Sequence, residues 1–477
     1  MAMHEMSTRT KIVWSVNCRS LELSPLTTLC EQNLISAIRI VYDPLRKTEI
    51  LDFIELLNKI PQIKQSGLPL MIDVGSISQG LVSQCNVSLD VVYGQKLVLT
   101  ASAKGGDLQL SGFAWEEELP VGHTLFLGYG AVVLKILETS AKRLLTQVIQ
   151  GGQIVLGQEV QIPYNRKPPS IFDLSYIDIK PFQQLGISYV VLPGIINPRE
   201  IALAQRKLAQ ANKDAPSPWL LIKIDSKEVF DNLANLLPVV DGVIISRRDL
   251  TLTMEAATIP MVCKEIIREC NQNAKLALVE SDMLASMRNN PSPTRAEVSD
   301  VANAAIDGTD AIILSEDLTL GKYPQKAASL CQNAIVRIEA EGDVELNWQR
   351  HAPQINNEFD AVAFHAYKTA ERIQAKAIVC ITKTGNTALR IASFRTAIPV
   401  IAVTFSEPVK RKLSIIRGVH GLLLDEMPGL DEVLSVLNER LKQFSWLNSG
   451  DQIVFTTVSL SPLGEKASNL FTVQRLV

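Results

Sequence analysis

Gly242-Val243-Ile244-Ile245, Lys275-Leu276-Ala277-Leu278-Val279 and Asp310-Ala311-Ile312-Ile313-Leu314 are three short apolar runs within one stretch, Asp241 to Lys322. The first ends in Ser246-Arg247-Arg248-Asp249, the second in Glu280-Ser281-Asp282-Met283-Leu284, the third in Ser315-Glu316-Asp317. Apolar runs of this length, with helical sequence between them, are the pattern of parallel strands buried on both faces. Each stops at polar and ionisable residues, where a (β/α) sheet places its chemistry.

The same rhythm extends outward. Before the stretch come apolar runs at Lys11–Val16, Ser36–Tyr42, Leu68–Asp73, Ile187–Leu192 and Trp219–Ile224, with helix patterns at Pro25–Leu34 and Lys47–Ile60. That makes eight strands, the number that closes a (β/α)8 barrel, with an open doubly wound sheet as the alternative. Between the third and fourth strands, Val87 to Ile162 carries short alternating runs separated by Gly105-Gly106 and Gly151-Gly152, which predicts an inserted all-β domain. After a polar linker around His351-Ala352-Pro353, five further apolar runs predict a C-terminal α/β domain. The expected division is a barrel at 1–76 and 165–344, a β-barrel lid at 77–164, and the C-terminal domain at 357–477.

A chain of 477 residues is long enough for two or three domains. A net charge of −3 gives no reason to expect nucleic acid as a partner. Seven scattered cysteines without a CxxC pair argue for reduced thiols and against a zinc site, and no apolar run is long enough to span a membrane. The expected location is the cytoplasm.

Lys223 and Asp225 alternate at the end of the fifth strand and are predicted to share the barrel mouth, with Asp249 closing the sixth strand and Ser281 the seventh. Carboxylates there suit a divalent cation, and the lysine suits a phosphoryl group. The plainer alternative is a set of solvated strand ends. Thr382-Lys383-Thr384-Gly385-Asn386-Thr387 precedes a helix and fits either an anion cradle or an ordinary N-cap.

The segment Arg288 to Asp310, followed by Gly321-Lys-Tyr-Pro324, closely resembles the most characteristic part of the pyruvate kinase family. The resemblance runs from Thr10-Lys-Ile-Val13 through Lys223-Ile-Asp225 to Ile401-Ala-Val-Thr404 and Arg417-Gly-Val419. It implies the barrel, a mobile β lid, an effector domain and usually a homotetramer. The family transfers a phosphoryl group from phosphoenolpyruvate to ADP, giving pyruvate and ATP, with Mg²⁺ and K⁺. By this resemblance Lys223 stabilises the moving phosphoryl group, and Asp225 (glutamate in the family) and Asp249 hold Mg²⁺. Ser281 stands for the proton-relay threonine, Arg39 contacts phosphate, and Thr382 to Thr387 form the effector phosphate loop.

Several family positions differ. Val41 and Asp43 replace K⁺-site residues, which leaves Asp43 and Asp73 as the candidate K⁺ carboxylates. Pro44 replaces a histidine of the nucleotide site. The loop from Asp73 to Ser78 is shortened and lacks a catalytic arginine, and Arg248 stands in the substrate pocket, beside Asp249 and Ser281, where a glycine is expected. Two functions remain open: a pyruvate kinase of weak or altered turnover, or a non-catalytic paralogue that binds, regulates or assembles with a more typical relative.

Overall fold

A computed structural model describes residues 8–476 apart from 17–23, 42–46, 61–66, 74–80, 85–87, 102–104, 112–118, 129, 141, 156–157, 159, 162–185, 212–215, 342–354, 356, 426–429 and 461–466. Asp43, Pro44, the loop beyond Asp73 and the linker at His351 lie outside the described residues.

Eight parallel strands close a barrel: Lys11–Val16, Ala37–Val41, Leu70–Asp73, Ile187–Leu192, Trp219–Ile224, Gly242–Ser246, Leu276–Glu280 and Ala311–Leu314. The first strand pairs in register with both the second and the eighth, so the sheet has no edge. The open-sheet alternative is thereby excluded.

Alternation along each strand divides the side chains into two cores. Ile12, Trp14, Ile38, Ile72, Ile222, Val243 and Val279 pack outward against the helices. Val13, Ala37, Met71, Leu221, Ile244, Leu278 and Ile313 pack inward. Two residues further along the inward rows stand Ser15, Arg39, Asp73, Lys223, Ser246 and Glu280, all buried. One periodicity therefore builds both the apolar floor of the barrel and the polar ring above it.

A seven-stranded sheet spans Leu81–Gln84 to Val160–Gln161, with an apolar core that includes Leu99, Leu125, Leu134, Ile136 and Val148. The expected inserted β domain is present. The C-terminal sheet runs in the spatial order Val419–Leu423, Val400–Thr404, Ala377–Ile381, Gln452–Leu460, Ala467–Arg475, the last strand antiparallel. Its inner residues Ile378, Leu389 and Phe394 join the inward cluster of the barrel, so this domain seals the floor.

Ions reinforce that seal. Asp310, fully buried before the eighth strand, accepts from Arg395 at 2.9 and 3.0 Å, from the Arg417 N–H at 3.2 Å and from the Ala277 N–H at 3.0 Å. Glu339 accepts from the N–H groups of Arg9 and Thr10, both at 2.7 Å, and lies 3.0 Å from Arg417. A buried charge is tolerated only when it is paired and hydrogen-bonded in this way.

Candidate active site

The inward rows of the second, third, fifth and seventh strands converge on one ionic quartet. The Arg39 Nε donates to Asp73 at 2.7 Å, and its Nη1 lies 2.5 Å from Glu280 Oε2. Lys223 Nζ lies 3.2 Å from Asp73 Oδ2 and 3.3 Å from Glu280 Oε1. The quartet holds two cations and two carboxylates, none of whose side chains is more than 10% exposed.

Burial opposes charge on both cations, yet Asp73 and Glu280 outweigh it and raise Lys223 and Arg39 above their ordinary values. Burial would likewise raise the Glu280 carboxyl. The Arg39 and Lys223 charges overcome that and hold it below the usual range.

Asp225 follows the fifth strand and accepts from the Gly194 N–H at 2.9 Å. Burial, and then the charge of Asp249, push its carboxyl up to about 7. Asp249 accepts from the Ser246 hydroxyl at 2.7 Å. A carboxylate raised by burial and by a neighbouring carboxylate, as Asp225 is by Asp249, is relieved by a shared cation. The oxygen-only donors suit Mg²⁺ rather than a soft metal, so Asp225 and Asp249 fit the expected ion. Potassium fits less well. Asp73 already serves two cations, and Asp43 lies outside the described residues.

Two expectations need correction. Asp249 does not close the sixth strand, which ends at Ser246; it stands on the helical turn Arg247–Leu250 that follows. Glu280, not Ser281, closes the seventh strand. Past it, Ser281, Asp282 and Leu284 have φ of 88°, 55° and 58°, a left-handed path that costs about 1–3 kcal/mol for each side-chain-bearing residue. That path is pinned from the sixth strand's helical turn: Arg247 donates to the Ser281 carbonyl at 2.7 Å, and Arg248 pairs with Asp282. Arg248 thus ties two rim segments together at the surface. The Ser281 hydroxyl makes no hydrogen bond among the described residues.

Glu280 was missed because an acid after an apolar run reads equally well as a solvated strand end. Its parity with Leu278 was the available signal, since both face inward. Glu316, on the turn after the eighth strand, was also missed; burial raises its carboxyl, and the nearby Arg39 opposes that rise.

The segment Thr382 to Gly385 stands before the helix Asn386–Ser393. The Thr382 hydroxyl accepts from the Gly385 N–H at 2.9 Å, while Lys383, Thr384 and Asn386 are exposed. Gly385 has φ of 97°, and a Cβ there would come 2.9 Å from Trp219 at the start of the fifth barrel strand. Only glycine fits that turn without strain.

Fold and site define a class: a closed (β/α)8 barrel with an inserted β domain, a C-terminal α/β domain, and a mixed acid–base cluster at the barrel mouth. Residues 7–328 match the family description "Pyruvate kinase, barrel domain" and residues 360–473 match "Pyruvate kinase, alpha/beta domain". The chain belongs to the pyruvate kinase family. It is 29% identical over 464 residues to a pyruvate kinase of Sporosarcina psychrophila, covering 96% of this chain and 78% of that one. A pyruvate kinase of Clostridium perfringens is 28% identical over 410 residues, covering 84% and 86%. Among solved structures, Cryptosporidium parvum pyruvate kinase in complex with ADP superposes with a TM-score of 0.83 at 22% identity, covering 100% of this chain and 98% of that one. That likeness carries the fold. Among the described residues no helix is long and apolar enough to cross a membrane.

Proposed function

We propose that this chain transfers a phosphoryl group from phosphoenolpyruvate to ADP at a rate far below that of typical relatives. The supporting observation is that Lys223, Asp225 and Asp249 stand together at the barrel mouth: Lys223 and Asp249 each affect the charge of Asp225. In the reaction the bond from phosphorus to the enol oxygen breaks, and a bond forms to a terminal phosphate oxygen of ADP. The enolate left behind takes a proton on carbon to give pyruvate. Lys223 meets negative charge on the moving group, and Arg39 orients it. Asp225 and Asp249 are the residues that would hold Mg²⁺, which when bound would supply further positive charge to the transferring group.

The low rate follows from the departures. Losing one preorganised contact to a transition state costs about 10²- to 10³-fold in rate. The shortened loop after Asp73 lacks its arginine, and here Arg39 and Lys223 are already neutralised by Asp73 and Glu280. That same neutralisation favours the second reading, a non-catalytic paralogue. A coupled pyruvate assay with phosphoenolpyruvate, ADP, Mg²⁺ and K⁺ decides between them. Turnover above that of a Lys223→Ala control supports the enzyme; turnover equal to it leaves the paralogue.

A further inference from the structure

We propose that Glu280 occupies the anion seat between Arg39 and Lys223 as an internal carboxylate, which a phosphate monoester must displace before it can bind. The inference rests on reading the barrel mouth as a phosphoryl site, and it names the residue that sets the affinity of that site.

Geometry is the first support. Glu280 divides its two oxygens between the two cations, Oε2 at 2.5 Å from Arg39 and Oε1 at 3.3 Å from Lys223. Two oxygens of a phosphate would take those same two points, since Arg and Lys bind phosphate and carboxylate through the same donors. Both roles cannot be filled at once.

Charge is the second. Asp73 and Glu280 balance Arg39 and Lys223, so the quartet offers no net positive charge to an arriving anion. Further carboxylates lie around it: Asp249 acts on Lys223, Glu316 acts on Arg39, and Asp225 is in electrostatic reach of Lys223. In a water-poor site such balances decide which ions enter.

Position is the third. Asp73 and Glu280 each end a strand, but the Asp73 side chain is fully buried and accepts from both Nε and Nη2 of Arg39, whereas the Glu280 side chain is 10% exposed. The loop behind it is held by Arg247 on the Ser281 carbonyl and Arg248 on Asp282. Glu280 is therefore the displaceable member, and the two arginines keep it pointed inward.

The test uses full-length protein and the Glu280→Gln variant, which keeps the size of the side chain and removes its charge. Binding of inorganic phosphate and of phosphoenolpyruvate is measured by calorimetry, alongside melting temperature against phosphate concentration. Removing the competing carboxylate is expected to tighten both anions by about tenfold or more, because a like charge no longer faces them. Phosphate should raise the melting temperature of the variant and leave that of the parent nearly unchanged. Adding Lys223→Ala to Glu280→Gln should abolish the gain. Equal affinity in parent and variant, binding by neither, or a gain that survives Lys223→Ala overturns the proposal. Should Glu280→Gln not fold, Glu280→Asp retracts the carboxylate by one methylene. It should give a smaller gain in the same direction, and no gain there is equally fatal. Turnover is not a readout here, so a chain that gains phosphate binding without transferring a phosphoryl group would refute the proposed reaction alone.

Discussion

Arg39, on the second barrel strand, and Glu280, on the seventh, meet inside the barrel mouth at 2.5 Å. Neither strand neighbours the other in the sheet, so only closure of the barrel brings them together. Their pairing removes charge from the place where a phosphoryl-transfer site needs it. The side of the mouth that carries Asp225 and Asp249 has the opposite excess: burial, and then Asp249, raise the Asp225 carboxyl to about 7.

Divalent cation binding should therefore depend on both carboxylates. Asp225→Asn or Asp249→Asn is expected to weaken Mn²⁺, used as a spectroscopic substitute for Mg²⁺, by roughly tenfold or more, since a hard cation loses one of two charged ligands. Electron paramagnetic resonance of free Mn²⁺ reads this directly. Unchanged affinity in both variants would place the ion elsewhere.

Asp310 joins the floor of the barrel to the C-terminal domain through Arg395 and the Arg417 N–H. Asp310→Asn leaves a buried guanidinium without its counter-charge, a loss of about 3–5 kcal/mol when one partner of such a pair is removed. Urea titration followed by circular dichroism should show a marked fall in midpoint. Asp317→Asn, in the 3.2 Å pair with Arg288 whose side chains are about half exposed, should shift the midpoint little.

Lys11 supplies a pH signature. Burial, offset in part by Glu339 and reinforced by Arg417, lowers its amine from 10.5 to about 8. Between those values the unfolded chain binds the proton and the folded chain does not, so stability rises with pH. The cost of burying Lys11 is complete below about pH 8 and disappears toward pH 10.5. Relative to Lys11→Met, the parent should gain melting temperature across that window. A constant difference across it would contradict the assignment.

The fold was legible because its signal is local. Runs such as Gly242–Ile245 and Ala377–Ile381 are apolar throughout and bounded by polar residues, and the eight barrel strands lie within about two residues of where the sequence puts them. Lys223, Asp225 and Asp249 were legible as a group for the same reason, since each stands at or just past a strand end, whereas Arg39, in the middle of the second strand, was reached only through the family resemblance. The position of Asp249 was off by one helical turn, because Arg247-Arg248-Asp249-Leu250 has no apolar periodicity to mark a helix. Glu280 and the use of Asp73 were not legible. Which charge meets which depends on closure of the barrel, and the separation of Arg39 from Glu280 along the chain hides a contact between them.

The most direct test of the proposed reaction is the turnover number of the full-length chain with phosphoenolpyruvate, ADP, Mg²⁺ and K⁺, set against Lys223→Ala prepared in parallel. A lysine that meets charge in the transition state is worth about 10²- to 10³-fold in rate, so the parent should exceed the variant by a clear margin while remaining slow. Turnover of the parent that cannot be distinguished from Lys223→Ala would contradict phosphoryl transfer by this chain.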